Sequence, residues 1–221
     1  MSSRLSDLTP FIIWDWNGTL LNDLAISVKA MNRMLQARQL PALSSDNYRE
    51  IFRFPVRDYY QDIGFDFKQE AFEIPALEFM QHYQNLLHEA VLFEGVRETL
   101  EQLRAAGYKQ FVLSAMEQQL LDQLLEQHQI SSYFEHIQGI DDHFADGKIM
   151  AAHKLIAVIG NSRPTPIMVG DTLHDAEVGA ECGFETILFS GGHFSAERLK
   201  QAGLSLFENH KDLREFLLKN S

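Results

Sequence analysis

The chain has a single cysteine, Cys182, among 221 residues, which excludes an internal disulfide and a zinc site built from several thiolates. Cys182 lies between Glu181 and Gly183 in a helical stretch and reads as a small buried residue rather than a reactive thiol. No apolar run approaches the roughly 18 residues that span a bilayer. The opening Met1-Ser2-Ser3-Arg4-Leu5-Ser6-Asp7 holds no signal-peptide core either, so a cytoplasmic protein is the expectation. Basic residues are few, 19 against 31 acidic ones for a formal charge of −12. That balance argues against a nucleic acid or an anionic membrane held by bulk charge. Internal repeats and low-complexity tracts are lacking too.

What is present suffices for a full core: 45% of residues are apolar and 11% aromatic, and the length suits one α/β domain with an insertion. The most informative run is Phe11-Ile12-Ile13-Trp14-Asp15-Trp16-Asn17-Gly18-Thr19-Leu20. It delivers an aspartate from a buried strand into a glycine-containing loop. Ile167-Met168-Val169-Gly170-Asp171-Thr172-Leu173-His174-Asp175 repeats the pattern, as if two strand ends met at one crevice, where open α/β sheets hold their ligands. Between them, Phe111-Val112-Leu113 ends in the hydroxyl of Ser114, and Gly147-Lys148 supplies a cation near a helix start. Three carboxylates, a hydroxyl and a lysine suit a metal-bound phosphate.

Leu24, Val28, Met31 and Leu35 recur at helical spacing between Asp23 and Gln39, which predicts an amphipathic helix. Pro55 opens a short helix that stops at Gly64, and a third helical segment runs from about Lys68 to Ala90, with Pro75 expected to kink or divide it. No strand pattern is visible between residues 23 and 90. Further on, helical stripes through Val96–Leu103, Leu120–Leu125, Met150–Ile159, Val178–Cys182 and Asn209–Lys219 alternate with strands at 111–113, 136–138, 167–169 and 186–189. Ser195 is placed to cap a helix toward Gln201, and His143, beside Asp141 and Asp142, reads as a solvated loop residue. The alternation predicts a doubly wound, Rossmann-like parallel sheet with helices on both faces. The core is expected to comprise residues 1–22 and 92–221, with residues 23–91 an all-helical cap above the strand ends.

Asp15-Trp16-Asn17-Gly18-Thr19, Ser114, Lys148 and Gly170-Asp171-Thr172-Leu173-His174-Asp175 together resemble the haloacid dehalogenase-like hydrolase superfamily. Within it, the chain looks like the phosphoglycolate phosphatase-like members with a helical cap. The resemblance implies a magnesium-dependent phosphatase that forms an aspartyl-phosphate. Asp15 is then the nucleophile, and Lys148 and a magnesium ion neutralise the charge that repels it from a phosphate monoester. Thr19 and Ser114 would hydrogen-bond the phosphate. Asp15, a backbone carbonyl at Asn17, Asp171 and Asp175 would supply the hard oxygen ligands that magnesium prefers.

Several alternatives stay open at this stage. Asp175 reads first as a residue that holds metal-bound water or orients Lys148, and alternatively as a helix N-terminal carboxylate; Ser114 has the alternative of a strand-end hydroxyl satisfied by backbone; and Lys154 competes with Lys148. In the expected cap, Arg53 and Arg57 are candidates to pair with a substrate carboxylate, or else form a solvated helix face.

One departure stands out. Most phosphatases of the family carry a second aspartate two residues after the nucleophile, where this chain has Asn17. An amide neither donates nor accepts a proton for the reaction, and such assistance contributes roughly 10²–10⁴-fold. The substrate then has a good leaving group, another residue such as His174 or Glu117 supplies the proton, or the domain binds phosphate and a partner without turnover. The expected substrate is a small phosphorylated metabolite.

Overall fold

The computed structural model describes residues 10–140, 147–160 and 165–220; Asp141, Asp142, His143 and Asp146 lie outside them. Six strands form one parallel sheet: β1 (Phe11–Trp14), β4 (Lys109–Glu117), β5 (His136–Ile140), β6 (Ile167–Gly170), β7 (Glu185–Phe189) and β8 (Ser205–Phe207). Their order is β5-β4-β1-β6-β7-β8. The chain leaves β1 toward β4 and β5 and returns to β1's other side with β6, which opens a crevice at the carboxyl ends of β4, β1 and β6.

Successive side chains of a strand point to opposite faces, so Ile12 and Trp14 pack on one side of the sheet and Ile13 on the other. The first face is covered by α5 (Val96–Ala105), α6 (Gln118–Gln127) and α10 (His210–Lys219), and the second by α7 (Lys148–Ile159) and α8 (Leu173–Cys182). Burial on both faces accounts for strands that read as unbroken apolar runs. A short α9 (Ala196–Lys200) is capped by Ser195, whose hydroxyl accepts the Arg198 amide. Among the described residues no helix is long and apolar enough to cross a membrane.

Four α-helices lie between β1 and α5: α1 (Leu24–Ala37), α2 (Ser45–Ile51), α3 (Val56–Asp62) and α4 (Glu73–Leu86). Leu24, Val28, Met31 and Leu35 of α1 join Tyr48, Tyr59, Tyr60 and Phe65 in a separate apolar cluster. Ile26 and Ala30, on the opposite side of α1, pack into the cluster of the sheet. The helical segment is thus anchored by a helix that is apolar on two faces. Its two ends are joined by an antiparallel pair, β2 (Leu21–Asn22) with β3 (Val91–Leu92).

Three local features differ from the pattern reading. Pro75 does not kink α4. It sits in the first turn, where the missing N–H would have had no helical partner. α2 was not visible as a periodic segment because it is only two turns long; Ser44 starts it by accepting the Asn47 amide at 3.1 Å. β8, β2 and β3 have two or three residues each, too few to show an alternation.

His210 begins α10 and is fully buried, its ring 4.8 Å from that of Phe189. Nε2 is 2.8 Å from the Thr19 carbonyl; since a carbonyl only accepts, this nitrogen carries the proton. Burial pushes the imidazole down to about 4 from its usual 6.5. A base whose folded value is depressed leaves stability intact above pH 6.5 and removes it as pH falls toward the folded value. The shift corresponds to on the order of 3 kcal/mol lost between pH 7 and pH 4. Urea unfolding across that range is expected to give a steeper acid loss for the wild type than for His210→Gln, and parallel curves would contradict the assignment.

Candidate active site

Asp15 follows the last residue of β1, and its amide donates to the Val169 carbonyl of β6 at 2.8 Å. This bond extends the β1–β6 ladder by one residue and fixes where the nucleophile candidate leaves the sheet. Asp171 leaves β6 one strand over. Asp15, Asp171 and Asp175 each offer an oxygen within 4.8 Å of the others, and all three are buried.

Lys148, the first residue of α7, reaches into this cluster. Its ammonium donates to Asp15 Oδ1 and, at 2.6 Å, to Asp175 Oδ1. Lys148 is therefore the lysine brought to the carboxylates, while Lys154 lies half a helix further along α7. The other Asp175 oxygen accepts from the Thr172 amide at 2.9 Å and the Thr172 hydroxyl at 2.7 Å. Asp175 thus orients Lys148 and completes a reciprocal cap at the start of α8, which unites the two alternatives left open for it.

The Thr19 hydroxyl is fully buried, 3.4 Å from Asp15 Oδ2 and 3.3 Å from Asp171 Oδ1. Ser114 lies where β4 loses register between Leu113 and Glu117, and its Oγ accepts the Met116 amide at 3.1 Å. Ala115, Met116 and Glu117, at this irregularity, line the same cavity as the carboxylates. Of the two arginines, Arg57 reaches the rim of the cavity above the cluster. Arg53 lies outside that lining on an exposed face, 2.7 Å from Asp62, the solvated arrangement rather than a substrate clamp.

Close approach of three loops depends on two glycines. A Cβ on Gly18, whose φ is +73°, would come within 2.2 Å of Asp171 Oδ2, and one on Gly192 within 2.1 Å of the same oxygen. Only residues without a side chain let these loops close on the carboxylate.

A second buried cluster adjoins the first and was not expected from the sequence. Asp23 precedes α1 without capping it through its side chain. Its oxygens accept from the Gly18 amide (2.9 Å), the Tyr83 hydroxyl (2.8 Å) and the Asn17 amide nitrogen (2.9 Å), and lie 3.1 Å from His193 Nε2. Asn17 also donates to the Tyr83 oxygen at 2.8 Å. His193 in turn gives its backbone N–H to Asp171 Oδ2 at 2.6 Å and meets the Tyr48 hydroxyl at 3.1 Å through Nδ1. Arg49 donates to the Gly191 and Gly192 carbonyls, and Arg198 to those of Arg49 and Phe52, so α2 is tied to the loop that carries His193. The available signals were a histidine after two glycines at a strand end and an aspartate six residues beyond Asn17. Neither pattern is specific on its own.

The electrostatics follow from burial. Burial raises the Asp15 carboxyl well above its ordinary value, and the Lys148 charge only partly offsets this. Asp171, buried and facing other carboxylates, is pushed up to about 6. Burial would lower the Lys148 ammonium, but Asp15 and Asp175 override it and the net shift is upward. Likewise Asp23 overrides burial and raises His193 to about 9, while His193 holds the Asp23 carboxyl below its usual range. Among the described residues the site sets four carboxylates against two cations, and the donor set is hard oxygen. The residues present therefore fit a divalent cation such as magnesium.

A family profile described as haloacid dehalogenase-like hydrolase matches residues 12–189. A phosphoglycolate phosphatase of Caulobacter vibrioides is 30% identical over 214 residues, covering 92% of this chain and 89% of that protein. A phosphoglycolate phosphatase of Aquifex aeolicus is 27% identical over 186 residues, covering 82% and 85%. Among solved structures, a haloacid dehalogenase-like family hydrolase of Streptococcus pneumoniae superposes with a TM-score of 0.80 at 18% identity, covering 96% of this chain and all of that one.

The geometry around Asn17 makes a specific prediction. Asn17→Asp would place a second carboxylate where the amide now donates to Asp23, and two carboxylates in one buried site cannot both ionise freely. The new group's folded pKa is raised, so its penalty is largest at high pH and fades as pH falls and the pair takes up a proton. Chemical denaturation at pH 8 is expected to show a loss on the order of 2 kcal/mol for Asn17→Asp, at least half of it recovered in Asn17→Asp/Asp23→Asn. An unchanged single variant would refute the pairing.

Proposed function

The chain belongs to the haloacid dehalogenase-like hydrolase family as a phosphoglycolate phosphatase-like phosphatase, and on that premise we propose that it hydrolyses a small phosphate monoester through an aspartyl-phosphate on Asp15, with magnesium bound. The observation that carries this reading is the Lys148 ammonium held between Asp15 and Asp175 inside a buried acidic cluster. A carboxylate attacks a phosphate dianion only where surrounding charge is neutralised in advance. Asp15, Asp171 and the Asn17 backbone carbonyl are the residues that would hold the metal, with Asp175 behind them. The ion would supply charge neutralisation at the phosphoryl oxygens.

The chain's own residues divide the remaining work. Lys148 offsets part of the cost of burying charge on Asp15 and would face the transferring phosphoryl group, while Asp175 fixes the lysine. Thr19 steadies the Asp15 and Asp171 carboxylates through its hydroxyl, and Ser114 holds the Met116 amide of the Ala115–Glu117 segment that lines the cavity. The helices between residues 23 and 91 act as a cap, excluding water from the reacting centre. The setting in this reading is the cytoplasm. Retention of the whole charge constellation favours turnover over a binding-only domain, since a merely structural cluster of buried carboxylates is costly to maintain.

Phosphate release from acetyl phosphate tests the reading. Turnover with magnesium is expected to vanish with EDTA and to fall at least about 10³-fold in Asp15→Asn, and about 10²-fold or more in Lys148→Met. Turnover that survives Asp15→Asn would exclude the aspartyl route.

A further inference from the structure

The cavity above Asp15 has a volume of about 280 Å³, and its walls are unlike those a small carboxylated substrate needs. Phe52, Phe54, Phe72, Phe79, Met80 and Met116 form the surface beyond the carboxylates. A far smaller apolar cavity, about 150 Å³, already takes up benzene. Among the described residues, the cationic side chains lining it are mostly committed: Lys148 to Asp15 and Asp175, and His193 to Asp23. His174 faces Glu177 at 3.0 Å, with its ring 4.7 Å from that of Phe54. Arg57 is the exception, yet it is exposed, with its guanidinium 5.2 Å and 5.9 Å from the Phe67 and Phe72 ring centres. A substrate carboxylate drawn into this space would lose its water to aromatic walls, a cost that only a dedicated cation offsets.

Asn17 points the same way from independent chemistry. Its two amide hydrogens are spent on Asp23 and Tyr83, and an amide has no proton to give a departing alkoxide. An aliphatic alcohol is about as weak an acid as water, near 15.7, so its alkoxide leaves poorly unprotonated. A phenol ionises near 10, and its anion leaves without help.

Resting on the phosphatase reading above, we propose that the substrate is an aryl phosphate monoester, whose ring occupies the aromatic cavity while its phosphoryl group meets Asp15. In the first step an Asp15 oxygen forms a bond to phosphorus, the P–O(aryl) bond breaks, and its electron pair leaves on the aryl oxygen as a phenoxide. In the second, water oxygen bonds to phosphorus and the P–O(Asp15) bond breaks. Asp15 is regenerated as carboxylate, and both water protons remain on the released dihydrogen phosphate. Neither step requires a proton donor at position 17.

The test compares phenyl, 2-naphthyl and ethyl phosphate with phosphoglycolate on the full chain with magnesium, using acetyl phosphate as a ring-free control with a good leaving group. The expected result is a kcat/KM for phenyl phosphate at least 100-fold above those for phosphoglycolate and ethyl phosphate. A KM about tenfold lower for 2-naphthyl than for phenyl phosphate is expected as well, because the added ring is buried. Turnover of acetyl phosphate with phosphoglycolate equal to or better than phenyl phosphate would overturn the aryl assignment and leave the phosphatase reading standing. The aryl cavity would also be overturned by equal KM values for the one-ring and two-ring esters. Failure to hydrolyse any of the five, acetyl phosphate included, would remove the phosphatase reading itself.

Discussion

The Lys148 ammonium between Asp15 and Asp175 is the contact on which the rest of the site depends. Buried carboxylates are costly unless paired, and removing one partner of a buried pair typically destabilises by about 3–5 kcal/mol. Here four carboxylates, Asp15, Asp23, Asp171 and Asp175, are almost wholly withdrawn from solvent, and among the described residues Lys148 and His193 are the cations paired with them. The fold accommodates them because β1 and β6 are adjacent parallel strands whose carboxyl ends release Asp15 and Asp171 side by side. α7 then starts where its first side chain can cross to both Asp15 and Asp175. Excess negative charge in a shielded crevice is what a divalent cation and a phosphoryl group would meet.

Asn17 looks like a defect when the loop is considered alone, but not in the folded chain. Its amide is one donor in a buried set that also includes the Gly18 amide, the Tyr83 hydroxyl and His193, all converging on Asp23. Asp23 supplies the carboxylate of this neighbourhood, from the base of α1 rather than from the loop that follows Asp15. The negative charge has in effect moved six residues along the chain. Through His193 and Tyr48 that charge is coupled to α2, and through Tyr83 to α4, so helices of the proposed cap and the loop after Asp15 share one network.

Much of this was legible before the fold was known, and the reason is physical. Strands that end in functional loops carry long apolar runs because the sheet is buried on both faces, so Phe11–Trp14 and Ile167–Gly170 announce themselves together with the aspartates they deliver. Lys148 stood out by its place at a helix start. What stayed hidden depended on tertiary proximity: Asp23 and His193 are 170 positions apart, and neither has a local pattern of its own. Tyr48 and Tyr83 pack their rings into the apolar clusters while their hydroxyls reach His193 and Asp23, a double use that residue type alone does not announce. Arg53 is the reverse case, a side chain whose type suited a substrate clamp but whose neighbours Asp58 and Asp62 hold it at the surface.

Turnover by the proposed route requires that Asp15 become covalently phosphorylated. Rapid acid quench during turnover of acetyl phosphate, followed by borohydride reduction and peptide mass analysis, reads this out at a single residue, because an aspartyl-phosphate is reduced to homoserine whereas a free carboxylate is not. The mechanism predicts homoserine at position 15 in samples quenched during turnover and none in those lacking substrate. Turnover accompanied only by unmodified aspartate at position 15, or by reduction at another carboxylate, would contradict it.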